Sequence, residues 1–267
     1  MNQSKREAFY NRSLERALQI LNIFSFDKQS LTLSELSESL SLSRSTVLRL
    51  CSTLIKYRFL KQDPNSRQYS LGLGIFERGS IVFNSFSLRR IASHYLTELQ
   101  MKLSKTIFLG IIDNDELLYV DKLDDPMNPI TFTSKIGTRR PPYWGMVGPA
   151  ILAYLPESEV KRILQRFPLK PTAAKKSLTK KEELLETLLQ IHDQGYAYDY
   201  ETTFDGISGV AAPIFDLTGK VIGAIGAAFI SSSVDSKTLK KIIKETVVTA
   251  SKISREMGYV EKNKRSS

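Results

Sequence analysis

Residues 41–50 read SLSRSTVLRL. Ser41 and Leu42 form a step too short for a long connection, and Ser43 is a strong N-cap, its hydroxyl suited to an orphan backbone N–H. Beyond it Val47, Leu50, Cys51 and Leu54 fall on one helical face. Arg44, Ser45, Leu48, Arg49, Ser52 and Lys56 are left on the other. The spacing predicts a helix to about Tyr57 that opens with a cation and two hydroxyls, groups free to touch either solvent or a polyanion.

Upstream, Thr32 and Glu35 in TLSELSESL form a capping box, and Leu33, Leu36 and Leu40 supply an apolar stripe. An earlier amphipathic segment of roughly three turns carries Leu14, Ala17, Leu18, Leu21 and Phe24, with Arg12, Glu15, Arg16 and Gln19 around the other side. Two short helices joined by a tight turn read as a helix-turn-helix. The second helix of such a pair enters the major groove N-terminal end first. Arg44 and Arg49 suit phosphate or guanine edges, and Ser45 and Thr46 suit phosphate or base. Phe59–Gln62 and Gln68–Leu71 then read as short strands around the turn formers Asp63–Ser66, a hairpin wing with Arg67 near its tip. The candidate DNA-contacting residues are Thr32, Ser43, Arg44, Ser45, Thr46, Arg49, Ser52, Lys56 and Arg67.

Charge agrees. The 267 residues carry 38 Lys and Arg against 28 Asp and Glu, a net +10. Residues 1–74 hold 11 of the cations and 6 of the acids, so positive charge is concentrated in the N-terminal quarter. A single cysteine rules out an intramolecular disulfide and suits a reducing cytoplasm. With only Cys51, His94 and His192 as soft ligands, a structural zinc site is not expected. No apolar run approaches the ~20 residues of a membrane span, and MNQSKREAFYNRS lacks a signal peptide's apolar core. The expectation is a cytoplasmic protein without membrane contact or cofactor.

SLERALQILNIF, LTLSELSESLSLSRSTVLRLCSTL and FLKQDPNSRQYSLG resemble the N-terminal domain of the IclR family of bacterial transcription regulators. The likeness continues through GTRRPPYWGMVGPAILAYLP, QGYAYDYE and GISGVAAPIFDLTGKVIGAI, about residues 11–257 in all. It implies a winged helix-turn-helix over residues 10–72 and a linker helix over 73–87 that contributes to dimerisation. An effector-binding domain over 88–260 and a disordered basic tail over 261–267 would follow. Leu73, Phe76 and Ile81 agree, being more apolar surface than a free linker should show.

From Leu88 the pattern changes. Ile91, Tyr95, Leu99 and Leu103 space a long helix, and TIFLGIIDNDELLYVDKL is a hairpin turning at Asp113–Asp115. ITFTSKI (130–136), YAYDYE, GVAAPIFD and KVIGAIGAAF read as strands. EVKRILQRF, KKEELLETLLQIHDQ ending at Gly195, and about Ser236–Met257 read as helices. Antiparallel strands with helices beside them make an α+β domain, and the resemblance makes it GAF-like.

No phosphate loop, nucleophile elbow or assembled catalytic constellation is present, so an enzyme is not expected. Asp113, Asp115, Asp121, Asp124 and Asp125 are better read as turn and loop carboxylates than as a cation site. By resemblance, a small-molecule effector would meet Tyr143, Trp144, Gly145, Met146, Val147, Asp199, Ile207, Gly209, Gly226 and Ala228. The family's loop is nearer HATALG, and a cysteine is frequent where Gly209 stands; here aromatic and apolar groups replace donors. That points to a flatter, less polar effector, such as an aromatic or otherwise apolar acid, or to a cavity filled by Trp144 and Met146. Arg139 and Arg140 would either meet a ligand carboxylate or sit in a solvated turn. The expected partners are operator DNA, an effector and a second copy of the chain, as homodimer or homotetramer, acting more often as a repressor. The rival reading is a sensor or enzyme using the helix-turn-helix for protein contacts.

Overall fold

The computed structural model describes residues 11–85, 87–125, 127, 134–172 and 174–260, with side chains 83–85 left aside. Tertiary contacts divide the chain into two compact units, residues 1–86 and 87–267. No described helix is long and apolar enough to cross a membrane.

The first unit contains α1 (Arg12–Ile23), α2 (Leu33–Leu40), α3 (Arg44–Lys56), the hairpin β1 (Leu60–Gln62) and β2 (Tyr69–Leu71), and α4 (Leu73–Ser85). Local chemistry sets its boundaries. Asn11 caps α1 through its side-chain oxygen, Thr32 and Glu35 close a capping box on α2, and Ser43 caps α3. Ser41 ends α2 in the left-handed region at φ 52°, which directs the chain straight into α3. Ile20, Leu36, Val47, Cys51, Leu54, Leu60 and Tyr69 close the core. Burial pushes the Cys51 thiol up to about 11, which leaves it inert as a nucleophile at neutral pH.

One expectation about α1 fails. Leu14 and Leu18 are 60% and 52% exposed, and Ile20 is the fully buried residue. The packing face is rotated toward Ala17, Ile20 and Phe24, because the stripe held several apolar residues and only contact with α2 and α3 chooses among them. On α4, Leu73, Phe76, Ile81 and Val82 are all about 70% exposed.

The second unit is a six-stranded antiparallel sheet in the order β5-β4-β3-β8-β7-β6. Its strands are β3 (Thr106–Asp113), β4 (Glu116–Leu123), β5 (Arg139–Arg140), β6 (Ala197–Tyr200), β7 (Ile207–Phe215) and β8 (Val221–Ile230). The helices are α5 (Ser87–Leu103), α6 (Val147–Leu152), α7 (Glu157–Arg166), α8 (Lys181–Gln194) and α9 (Ser236–Glu256). Asn114 and Asp115, both at positive φ, make the tight β3–β4 turn, and Gly195 at φ 85° stops α8. Helices α5 and α9 pack on one sheet face. A Cβ placed on Gly223 would meet Leu88 of α5, whereas one on Gly110 would meet Val147 of α6 on the opposite face.

Helix α5 buries Leu88, Ala92, Leu96, Leu99 and Leu103. Ile91 and Tyr95 stand at its margin, where the Tyr95 hydroxyl donates to Glu256 at 2.8 Å. The strand expected at 130–136 falls mostly outside the described residues, and Ser134–Ile136 form no strand. Residue 10, at the first boundary, and the basic tail at 261–267 also lie outside the described residues. Two elements had no sequence signal: the two-residue β5 and the short, wholly buried α6.

Candidate nucleic-acid interface and ligand pocket

In the first unit, Arg44, Ser45, Arg49, Ser52 and Lys56 are exposed along α3, and Arg67 is exposed beside the hairpin turn. No acidic residue lies in the first turn of α3. Among the described residues, no carboxylate lies within ion-pair distance of Arg44, Arg49, Lys56 or Arg67, whereas the nearby Arg58 and Arg78 are both held by Glu77. The Arg44 guanidinium in the first turn of α3, where backbone N–H groups also point outward, and Arg49 further along the same exposed face suit phosphate.

The hydroxyls divide into two groups. Ser43 caps Thr46 N–H at 3.3 Å and lies 3.1 Å from the Ser45 hydroxyl and 2.9 Å from that of Thr46. Thr32 donates to Glu35 at 2.7 Å, and Ser52 donates back to the Leu48 carbonyl at 2.8 Å. Thr32, Thr46 and Ser52 therefore already serve the helices, and a nucleic acid would have to share them. Arg67 adopts φ 58°, and its carbonyl accepts from Gln62 Nε2 at 2.9 Å. Asp63 accepts from both Ser66 N–H and Ser66 hydroxyl, bonds that lower its carboxyl and stiffen the tip. Leu48, on the outer face that the spacing predicts, is exposed, and so is Tyr57 at the C-cap of α3, which only burial brings out.

In the second unit a small cavity of about 40 Å³ lies on the α6 side of the sheet. Phe108, Tyr119, Ser134, Trp144, Gly145, Met146, Asp199, Thr203, Phe204, Ile207, Ser208 and Ala228 line it. Six of the ten residues proposed for an effector are thus together: Trp144, Gly145, Met146, Asp199, Ile207 and Ala228. Four do not line the cavity. Tyr143 is buried beside it, its hydroxyl donating to the Pro168 carbonyl and accepting from Lys170 N–H. Val147 opens α6 and packs toward Gly110. Gly209 and Gly226 lie behind Met146. Phe108, Tyr119, Ser134, Thr203, Phe204 and Ser208 complete the lining, and strand pairing and loop closure, rather than any motif, bring them in.

The loop carrying Trp144–Met146 is tied down by polar bonds. Gly145 N–H donates to Thr203 Oγ1 at 3.0 Å, and Asp199 Oδ1 accepts from Thr202 N–H at 2.9 Å and Thr202 Oγ1 at 2.6 Å. Trp144 meets Phe204 edge-on at 6.1 Å, and the Arg140 guanidinium lies 5.6 Å from the Trp144 ring centroid. Arg139 instead pairs with Asp113 and Glu116, so the two arginines have different tasks. Burial pushes the Tyr119 phenol up to about 12. The indole Nε1 of Trp144 is buried with no acceptor among the described residues, a costly state that a bound acceptor would relieve.

The clustered aspartates are engaged elsewhere. Asp115 pairs with Arg162 and Arg166, Asp121 with Arg89, Asp124 with Lys122, and Asp125 accepts from Met127 N–H. No cluster of metal-ligating side chains occurs among the described residues.

Burial raises the Asp199 carboxyl above its usual 3.8, and its bonds from Thr202 and Thr203 only partly oppose this. The folded state then keeps a proton that the unfolded chain has already released, so stability declines as pH rises through the raised value. Asp199→Asn keeps the acceptor for Thr202 without the charge. It is expected to melt higher than the parent near pH 8 and to show a flatter dependence of Tm on pH from about 4 to 8. An unchanged slope would mean that Asp199 is hydrated and ordinary.

A winged helix-turn-helix whose basic face has no carboxylate partner among the described residues, followed by a second unit with an aromatic-lined cavity, is the architecture of a DNA-binding transcriptional regulator. The family models agree: "IclR helix-turn-helix domain" matches residues 13–64 and "Bacterial transcriptional regulator IclR C-terminal" matches residues 81–255. The chain is similar to the HTH-type transcriptional regulator XynR of Escherichia coli, with 33% identity over 93% of this chain and 98% of that one. It is also 33% identical to the HTH-type transcriptional regulator KdgR of Escherichia coli, over 87% of this chain and 88% of that protein. An IclR transcriptional regulator structure from Alicyclobacillus acidocaldarius superposes with a TM-score of 0.82 at 25% identity, covering 94% of this chain and all of that one. The chain belongs to the IclR family of bacterial transcriptional regulators.

Proposed function

We propose that this regulator is a repressor whose operator affinity is set by a small aromatic or otherwise apolar acid bound in the cavity of residues 88–260. The observation that carries this reading is the Trp144 indole N–H, buried without an acceptor beside a cavity walled by Phe108, Tyr119 and Phe204. Aromatic walls with few polar groups suit a flat ligand. The protein pairs through the linker segment 73–87, where Leu73, Phe76, Ile81 and Val82 expose an apolar surface that a second copy would cover. A homodimer, or a homotetramer built from it, offers two recognition helices to two half-sites. The effector shifts operator affinity through its different affinity for two arrangements of the dimer. Arg44, Ser45, Arg49, Lys56 and Arg67 make the DNA contacts, with Thr32, Ser43, Thr46 and Ser52 supporting the helices that place them.

A mobility-shift titration with the upstream intergenic DNA, at two salt concentrations and with excess competitor, tests this. A discrete, competitor-resistant complex is expected. With about six to ten phosphate contacts its affinity falls roughly 10³- to 10⁵-fold between 50 and 200 mM salt. Smeared, competitor-sensitive shifts would point instead to sequence-independent binding, and salt-insensitive behaviour to protein contacts. Trp144 is the one tryptophan in the sequence, so its fluorescence reports ligand entry directly. The small volume favours one second reading, a ligand-independent regulator whose cavity is filled by its own side chains.

A further inference from the structure

The cavity is too small for the ligand its walls suit. Its volume of about 40 Å³ has room for roughly a few waters, against the ~300–1,000 Å³ of an ordinary ligand pocket. Part of the missing space is occupied by one flexible side chain. A Cβ added to Gly209 would lie 2.7 Å from Met146 Sδ and 3.2 Å from its Cε, and one added to Gly226 would lie 3.2 Å from the same Cε. The thioether therefore sits in the place where side chains on β7 and β8 would otherwise stand.

The surface beneath it is flat. Gly209 pairs with Ala228 and Ala211 with Gly226, so four small residues share one face of the two strands. Phe108 stands beside Gly226 on β3, and Asp199 beside Gly209 on β6. Methionine, unbranched and with three rotatable bonds, can leave such a seat without moving the backbone. The backbone around it is held, since Gly145 is bonded to Thr203 and Met146 begins the turn into buried α6.

We propose that Met146 is an intramolecular plug, and that the effector binds by displacing its thioether and laying a single aromatic ring on the Gly209–Ala211–Gly226–Ala228 floor. An acceptor on that ring, such as a carboxylate, then reaches the Trp144 N–H. This rests on the ligand-controlled reading above and adds the ligand's size and its competitor. Affinity is reduced by the fraction of molecules in which the plug is out. Shortening the side chain removes that reduction, and Met146 is the residue that limits binding to slender ligands.

The test uses the full chain, as parent, Met146→Ala and the milder Met146→Val, with Trp144 fluorescence and thermal shift as readouts. Benzoate and benzene are the probes. Met146→Ala is expected to bind benzoate at least about tenfold more tightly than the parent, and Met146→Val to gain in the same direction by less. Benzene, which lacks the acceptor, is expected to bind Met146→Ala and not the parent. Benzene binding to Met146→Ala with no benzoate binding by any protein would uphold the plug and overturn the acid effector. If benzene enters neither variant, or if benzoate binds the parent as tightly as it binds Met146→Ala and Met146→Val, the thioether is a wall and the plug is overturned. Should Met146→Ala fail to fold, Met146→Val decides by the same two probes.

Discussion

Replacing Arg44 and Arg49 together by alanine is expected to abolish operator binding while leaving the fold and oligomer intact. Both side chains are exposed, and neither has a carboxylate partner among the described residues. Their removal therefore breaks no ion pair among the described residues, and exposed substitutions of this kind stay within about 0.5 kcal/mol in stability. At the DNA each arginine is worth roughly 1–3 kcal/mol, so the pair together costs on the order of 10²-fold or more. The salt dependence separates two modes of action. If both meet phosphate, the log–log slope falls by about 1.8 and every sequence is weakened alike. If they meet guanine edges, the slope holds and selectivity relaxes at defined positions. A double variant that binds the operator normally, with an unchanged slope, would remove α3 from the groove.

Gly148→Ala is expected to damage both the second unit and its pocket, against the local rule. Within a helix, alanine is favoured over glycine by about 1 kcal/mol. Gly148 is the second residue of α6, and a Cβ there would lie 2.0 Å from the Pro142 carbonyl oxygen. That partner is backbone, so no side chain can rotate away; the chain at Pro142 or the start of α6 must shift. Overpacking of this kind costs about 1–3 kcal/mol and occasionally more. A net loss of roughly 2 kcal/mol corresponds to a fall in Tm of about 4–8 °C for a unit of this size. Pro142 immediately precedes Tyr143–Met146, so the cavity loop shifts too, and Trp144 emission is expected to move to longer wavelength as the indole meets water. A rise in Tm with unchanged emission would show that helix propensity outweighs the close approach.

The two units differed in how far the sequence could be read. The helix-turn-helix was legible almost residue by residue. Thr32 and Glu35, Ser43, Ser41–Leu42 and Asp63–Ser66 each act within three or four residues of themselves, and the caps and turns formed where they stand. Strand β4 and its hairpin were legible for the same reason. The apolar face of α1 was misjudged because Leu14 and Leu18 satisfy the same period as Ala17 and Leu21, and periodicity alone does not say which part of a broad stripe meets a neighbour. On α5 the same ambiguity left Ile91 and Tyr95 at the margin, with Ala92 and Leu96 inside.

The cavity was half legible. Resemblance brought out the Trp144–Met146 loop and Asp199. Phe108, Tyr119 and Thr203 come from segments up to about a hundred residues apart and meet only through the register of β3, β8, β7 and β6. The sequence by itself determined the caps, the turns, the basic face of α3 and the β3–β4 hairpin, because those depend on hydrogen bonds and periodicities that close over a few residues. Only the tertiary structure decided that Gly148 must remain without a side chain, that Val147 belongs to a helix, and that Met146 rests against two glycines inside the cavity. Each of those depends on the separation between backbones distant in the chain, and that separation is set by sheet register and packing.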